Sequence, residues 1–153
     1  MSQSPSSFHH LGLTVSNLER SHRFYREVVG MRDELTMEVA SDAFNALMAS
    51  EGLSIRFWYL TLGTLRLQLV EYTRGGEPEP LALAHNRIGN PHLSIAVEDV
   101  ARKYEELKQR GDVPMVSAIV TQTHGSMTAQ SFYVLDPDGV QVEFGCIRYN
   151  SAA

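Results

Sequence analysis

Two short stretches alternate strictly between apolar and polar residues: HLGLTV from His10 to Val15, and HLSIAV from His92 to Val97. Alternation of period two marks a half-buried strand, because successive side chains of an extended chain point to opposite faces. Behind each stretch the period lengthens to three and four. Leu18, Ser21, Tyr25 and Val28 follow Asn17, while Val100, Tyr104 and Leu107 follow Asp99, so each strand leads into a capped helix with one apolar face. Gly30 and Gly111 stand where those helices should stop, since glycine takes the left-handed conformation without strain.

Three further strands follow in each half, around 34–40, 54–60 and 64–72 and then around 115–121, 130–135 and 140–147. The second copy begins at His92 where the first begins at His10, an offset of 82 residues. One insertion breaks the match: SDAFNALMASEG, 41–52, reads as a short helix or lid, or as a surface loop. The stretch from 73 to 90, opened by TRGGEPEP, is dense in Gly, Pro and charge and reads as the linker. The predicted class is α+β. Two βαβββ modules, about 8–72 and 91–148, share one domain over 1–153, with their sheets curved around a common cavity.

Composition narrows the function without naming it. With 153 residues, 43% hydrophobic and 20% charged, the chain has the make-up of an ordinary globular domain. Its net charge of -5 and dispersed Lys and Arg provide no basic footprint, so no nucleic acid is expected as a partner. No apolar run approaches the roughly 18 to 20 residues of a membrane helix, and no membrane association is expected. A single cysteine, Cys146, forms no internal disulfide, and MSQSPSSF lacks the regions of a signal peptide, so a cytoplasmic location is expected.

Chemistry enters through the faces of the strands. Leu11, Leu13 and Val15 share one face of the first strand, leaving His10 on the other; Leu93, Ile95 and Val97 likewise oppose His92. In LRLQLVEY the leucines 65, 67 and 69 oppose Gln68, and in GVQVEF Val140, Val142 and Phe144 oppose Glu143. Each half thus presents a pair away from its helix, His10 with Gln68 and His92 with Glu143. Taken singly, a histidine at a strand start or a glutamine on a half-buried strand is an ordinary surface residue. Taken together, the repeat puts imidazole, amide and carboxylate donors at matching places, which is a ligand set for one divalent metal ion.

The span from about 8 to 148 resembles the vicinal oxygen chelate superfamily, which includes glyoxalase I, methylmalonyl-CoA epimerase, bleomycin and fosfomycin resistance proteins and extradiol dioxygenases. HHLGLTVSNLERSHRFYREVVGM, LRLQLVEY, HLSIAVEDV and FYVLDPDGVQVEF carry the resemblance. It implies paired βαβββ modules forming a curved mixed sheet around a metal-binding cup. The segment HGSMTAQSFYVLDPDGVQVE is most similar to the extradiol dioxygenase signature, with Phe132-Tyr133, Asp136 to Gly139 and Glu143 in place; Gln122 departs from it, where a small or aliphatic residue is usual.

On that resemblance His10, His92 and Glu143 form a facial triad for Fe(II), with Gln68 beside the ion, and Mn(II), Co(II), Ni(II) or Zn(II) as the other candidates. Tyr133 would hold or deprotonate a catechol hydroxyl, His124 would hydrogen-bond the substrate, and His85 is the candidate for a further histidine near the start of the second module. The expected activity is a dioxygenase acting on a small catechol-like substrate. The same ligand set is similar to that of methylmalonyl-CoA epimerase, which makes a glyoxalase- or epimerase-like isomerase or lyase the runner-up. Against it, LSIRFWYL offers Arg56 or Ser54 where an epimerase would place a second carboxylate, and glyoxalase I would prefer glutamate at 68. A non-catalytic resistance-type binding protein is the third reading. Parity puts Arg56 and Arg66 on the cavity side, which points either to an anionic small-molecule substrate or to salt bridges with neighbouring carboxylates, with Trp58 as an aromatic wall. Small members of the family commonly dimerise, so a homodimer is expected.

Overall fold

The computed structural model describes residues 7–77 and 86–149. The chain divides into two units, Met1–Glu79 and Pro80–Ala153, each built around one four-stranded mixed sheet. In the first, β1 (Leu11–Thr14) leads into α1 (Leu18–Phe24), and then come β2 (Arg32–Val39), α2 (Asp42–Leu47), β3 (Ser54–Leu62) and β4 (Leu65–Arg74), in the sheet order β1-β4-β3-β2. In the second, β5 (His92–Ala96), α3 (Val100–Arg110), β6 (Val120–His124), β7 (Met127–Leu135) and β8 (Gln141–Tyr149) give β5-β8-β7-β6. The two orders are the same topology. This is the predicted α+β arrangement, strand, helix and three strands in each unit.

The helices begin where the caps predicted. Asn17 accepts a hydrogen bond from the Arg20 N–H at 2.8 Å, and Asp99 accepts one from Arg102 at 2.9 Å. The first helix departs from expectation in its last turn, where Tyr25–Val29 widens into a π-type turn before Gly30 ends it at φ +86°. Leu18, Ser21, Phe24, Tyr25 and Val28 are buried against the sheet, where Leu60, Leu67 and Leu69 are fully enclosed. Val100 and Leu107 do the same for α3, and the Tyr104 ring meets Phe132 edge-on with centroids 5.1 Å apart. Truncating such a buried aromatic costs about 3–5 kcal/mol.

The segment 41–52 does contain a short helix, α2, capped by Ser41, but none of its residues is buried. The strand expected near 115–121 lies later. Met115 makes one isolated bridge to Val134, Val116 N–H donates to the Tyr133 carbonyl, and regular pairing with β7 starts only at Val120. Pro114, without an N–H, cannot extend a ladder, although its carbonyl accepts from Leu135. The result matters for position rather than for class, because it pins the backbone of Tyr133, whose N–H donates to Ser117 Oγ at 3.1 Å.

Two turns set the registers that follow. Gly63 and Thr64 join β3 to β4, with Gly63 at φ +57° as the first loop residue of a tight hairpin. Between β7 and β8 the sequence DPDG closes on Asp136. Its carboxylate is buried and accepts from the N–H groups of Asp138 at 2.9 Å and Val140 at 2.7 Å.

Candidate functional site

Each sheet has one face against its helix and one facing away, and the registers show which donors share the outer face. In the first unit Leu11 pairs with Leu67 and Gly12 with Gln68 in parallel register, so His10 sits just before β1, two residues from the partner of Gln68. Gly12 has no side chain to stand between them: a Cβ there would lie 3.8 Å from Gln68 Oε1, which leans across β1. In the second unit Ser94 pairs with Glu143, and His92 again stands two residues before that partner. His10 with Gln68 and His92 with Glu143 therefore occupy the same register positions in the two sheets.

Beside each pair stands a tyrosine. Tyr133 is opposite Glu143 in the β7–β8 register, and Tyr59, which the sequence reading passed over, is opposite Gln68 in β3–β4. Burial raises the Tyr133 phenol above its ordinary value, and the charge of Glu143 together with the hydrogen bond that the phenol donates to it act in the same direction. Tyr133 is therefore a proton holder at neutral pH. The signal for Tyr59 was present in the repeat, since β3 and β7 are equivalent strands, but it needed the register to be read.

Arg56 and Trp58 lie on the helix side of β3, correcting the expectation that they line the substrate face. Arg56 donates to Glu19 at 2.8 Å and to Glu71, and Trp58 stacks on His22 of α1 at 3.7 Å between centroids. Phe57, its neighbour, faces the other way and packs on Tyr59. Arg66 is on the outer face as expected, but Glu34 holds its guanidinium through two 2.8 Å hydrogen bonds, so it does not stand as an open cation for a substrate anion. His124 ends β6 and pairs with Met127 at the tip of the β6–β7 hairpin, six residues along β7 from Tyr133. At about 3.4 Å per residue that is about 20 Å of strand. His124 cannot serve the same reacting centre as Tyr133 and Glu143 of its own unit, which corrects its expected role. His85 lies outside the described residues.

Among the described residues no three His, Cys, Asp or Glu side chains are gathered into a metal site. Each unit presents a histidine with one further oxygen donor, an amide in the first and a carboxylate in the second. Imidazole, amide oxygen and carboxylate are all ligands for divalent ions.

Residues 7–144 match the family model of the glyoxalase/bleomycin resistance protein/dioxygenase superfamily. The chain belongs to that superfamily. Membership fits a metal-dependent enzyme with a small-molecule substrate. Among curated proteins the chain is similar to a 2-epi-5-epi-valiolone epimerase of an Actinomyces species, 29% identical over 142 residues that cover 88% of this chain and 76% of that protein. A glyoxalase family protein from Bacillus cereus shares the fold at a TM-score of 0.79 with 16% identity, covering 94% of this chain and 95% of its own. A trypanothione-dependent glyoxalase I from Leishmania major shares it at 0.56 with 23% identity, covering 92% of this chain and 84% of its own. Among the described residues no helix is long and apolar enough to cross a membrane.

Proposed function

We propose that this superfamily member is a divalent-metal-dependent isomerase of the epimerase kind, moving a proton at a carbon next to a carbonyl group. The observation that carries the proposal is the equivalence of Gln68 and Glu143, each paired across its sheet with a position two residues after a histidine. On this reading His10 and Gln68 in the first unit, and His92 and Glu143 in the second, are metal donors. A bound divalent ion supplies the positive charge that makes the carbon beside a carbonyl acidic. Tyr133 keeps its proton, which it donates to Glu143, and its phenol oxygen accepts a hydrogen bond from a substrate hydroxyl and orients it. The similarity to the 2-epi-5-epi-valiolone epimerase supports this class and suggests 2-epi-5-epi-valiolone as the first substrate to try.

Dioxygenase chemistry, the first expectation from sequence, keeps Tyr133 and Glu143 but loses His124. The two readings separate in one experiment. Protein reconstituted with Co(II), Ni(II), Mn(II), or Fe(II) under anaerobic conditions is incubated with 2-epi-5-epi-valiolone in deuterated water, and in parallel with a catechol panel at an oxygen electrode. Epimerisation, with deuterium appearing at the carbon beside the carbonyl, is expected. Oxygen uptake with ring cleavage and no deuterium incorporation would replace this proposal with the dioxygenase.

A further inference from the structure

The outer face of the first sheet holds a cluster around His10 to which neither metal donation nor substrate contact assigns a role. Tyr59 meets the His10 ring edge-on, with centroids 5.3 Å apart and planes at 74°. Tyr133 meets His92 the same way, at 6.1 Å and 67°. The contact thus recurs at the same register in both units, each tyrosine standing opposite the other candidate donor of its sheet. In the first unit it is reinforced. The Arg66 guanidinium lies over the Tyr59 ring, 3.9 Å from its centroid, and Glu34 grips that guanidinium with two 2.8 Å hydrogen bonds.

Glu34 reaches Arg66 from a bulge. Asp33 pairs with Leu60 and Leu35 with Tyr59, so Glu34 is the extra residue on β2, re-aimed out of the ladder. Arg66 also donates to His9 Nε2 at 3.1 Å, and His9 Nδ1 lies 2.6 Å from His10 Nδ1. Tyr59 and His9 touch one imidazole that sits just before the first paired residue of its strand, and Arg66, held by Glu34, touches both Tyr59 and His9. A ligand ring in such a place needs its orientation set by its neighbours, and outer-shell partners of metal ligands typically contribute about 10- to 100-fold in affinity.

We infer that Tyr59, braced by Arg66 and Glu34, is a positioning residue that fixes the ring orientation of His10 for metal binding. The inference rests on the proposal that His10 is a ligand. It gives Arg66 a structural task in place of the substrate anion that its sequence position suggested. The ring of Tyr59 does this rather than its hydroxyl, because the contacts with His10 and Arg66 are both made by the ring.

The test is Co(II) titration of the metal-free full-length chain, read by visible absorption and by competition with a chelator, with thermal melting of the metal-free proteins alongside. Tyr59→Leu is expected to weaken Co(II) binding by about 10-fold or more and to change the absorption bands. Tyr59→Phe restores both, and Arg66→Met shows a smaller loss in the same direction without a matching fall in the metal-free melting temperature. Wild-type affinity and spectrum in Tyr59→Leu and Arg66→Met, with His10→Ala still abolishing binding, would overturn the inference and leave the ligand assignment standing. Wild-type binding by His10→Ala would remove the ligand assignment first and the inference with it. If Tyr59→Leu does not fold, Arg66→Met carries the same two outcomes.

Discussion

The two sheets share one topology and one register plan, yet they support their candidate donors differently. In the second, the donor beside the histidine is a carboxylate, Glu143, and its partner Tyr133 is a phenol that hydrogen-bonds to it. In the first, the donor is the neutral amide of Gln68, and the charges lie one residue pair away, in the Arg66–Glu34 bridge over Tyr59. A carboxylate attracts a cation by itself and needs a partner mainly for direction. An amide contributes little attraction, so its neighbour His10 depends more on packing to hold it ready. On the proposed metal reading, duplicated strands keep their backbone pairing while the burden of binding moves from charge to positioning.

Exchanging the two donors is the most direct way to break this contrast. Glu143→Gln is expected to abolish stoichiometric metal binding, as measured by metal analysis after dialysis, because it removes the set's only negative charge. Gln68→Glu is expected to tighten binding. Equal effects from the two exchanges would mean that the units are not functionally distinct.

A smaller effect is expected at the turns that hold the two registers. Asp136→Ala leaves two N–H groups without their buried acceptor and should cost about 1–3 kcal/mol in denaturant unfolding. At the equivalent hairpin of the first unit, Gly63→Ala meets no atom within 4 Å and is penalised only by its positive φ, at about 1–2 kcal/mol. A larger loss at Gly63 than at Asp136 would reverse the ranking of the two turns.

The smallest expected effect is on alkaline stability. Because the folded-state pKa of Tyr133 is raised, the protonated phenol favours the folded form; that contribution is intact below the ordinary tyrosine value of about 10 and is lost as pH rises through the higher folded value. Tyr133→Phe should remove this part of the alkaline loss while retaining metal. Unfolding followed from pH 8 to 11 by circular dichroism checks it, and an unchanged alkaline loss in the variant would count against the raised value.

Much of this was legible in the chain because the relevant signals are local. Asn17, Asp99, Gly30 and Gly111 act within one helical turn, and alternation in HLGLTV, LRLQLVEY and GVQVEF assigned the faces of His10, Gln68 and Glu143 as the sheets show them. Alternation failed on β3. That strand is interior to its sheet and carries apolar residues on both faces, with Ile55 and Phe57 buried on one and Leu60 on the other, so period two gives no sign of which side faces α1. Arg56 and Trp58 were misassigned for that reason, and contacts with Glu19 and His22, 37 and 36 positions away in sequence, settled their side.

The amino-acid sequence by itself determined the order of elements, the internal repeat and the identity of the four candidate donors, since caps, turns and alternation act between residues a few positions apart. Only the tertiary structure decided which side chains meet. The placement of Tyr59 opposite Gln68, the bulge that turns Glu34 onto Arg66, and the roughly 20 Å of strand between His124 and Tyr133 depend on cross-strand register, which is set by pairing between distant segments and leaves no periodic trace in either one.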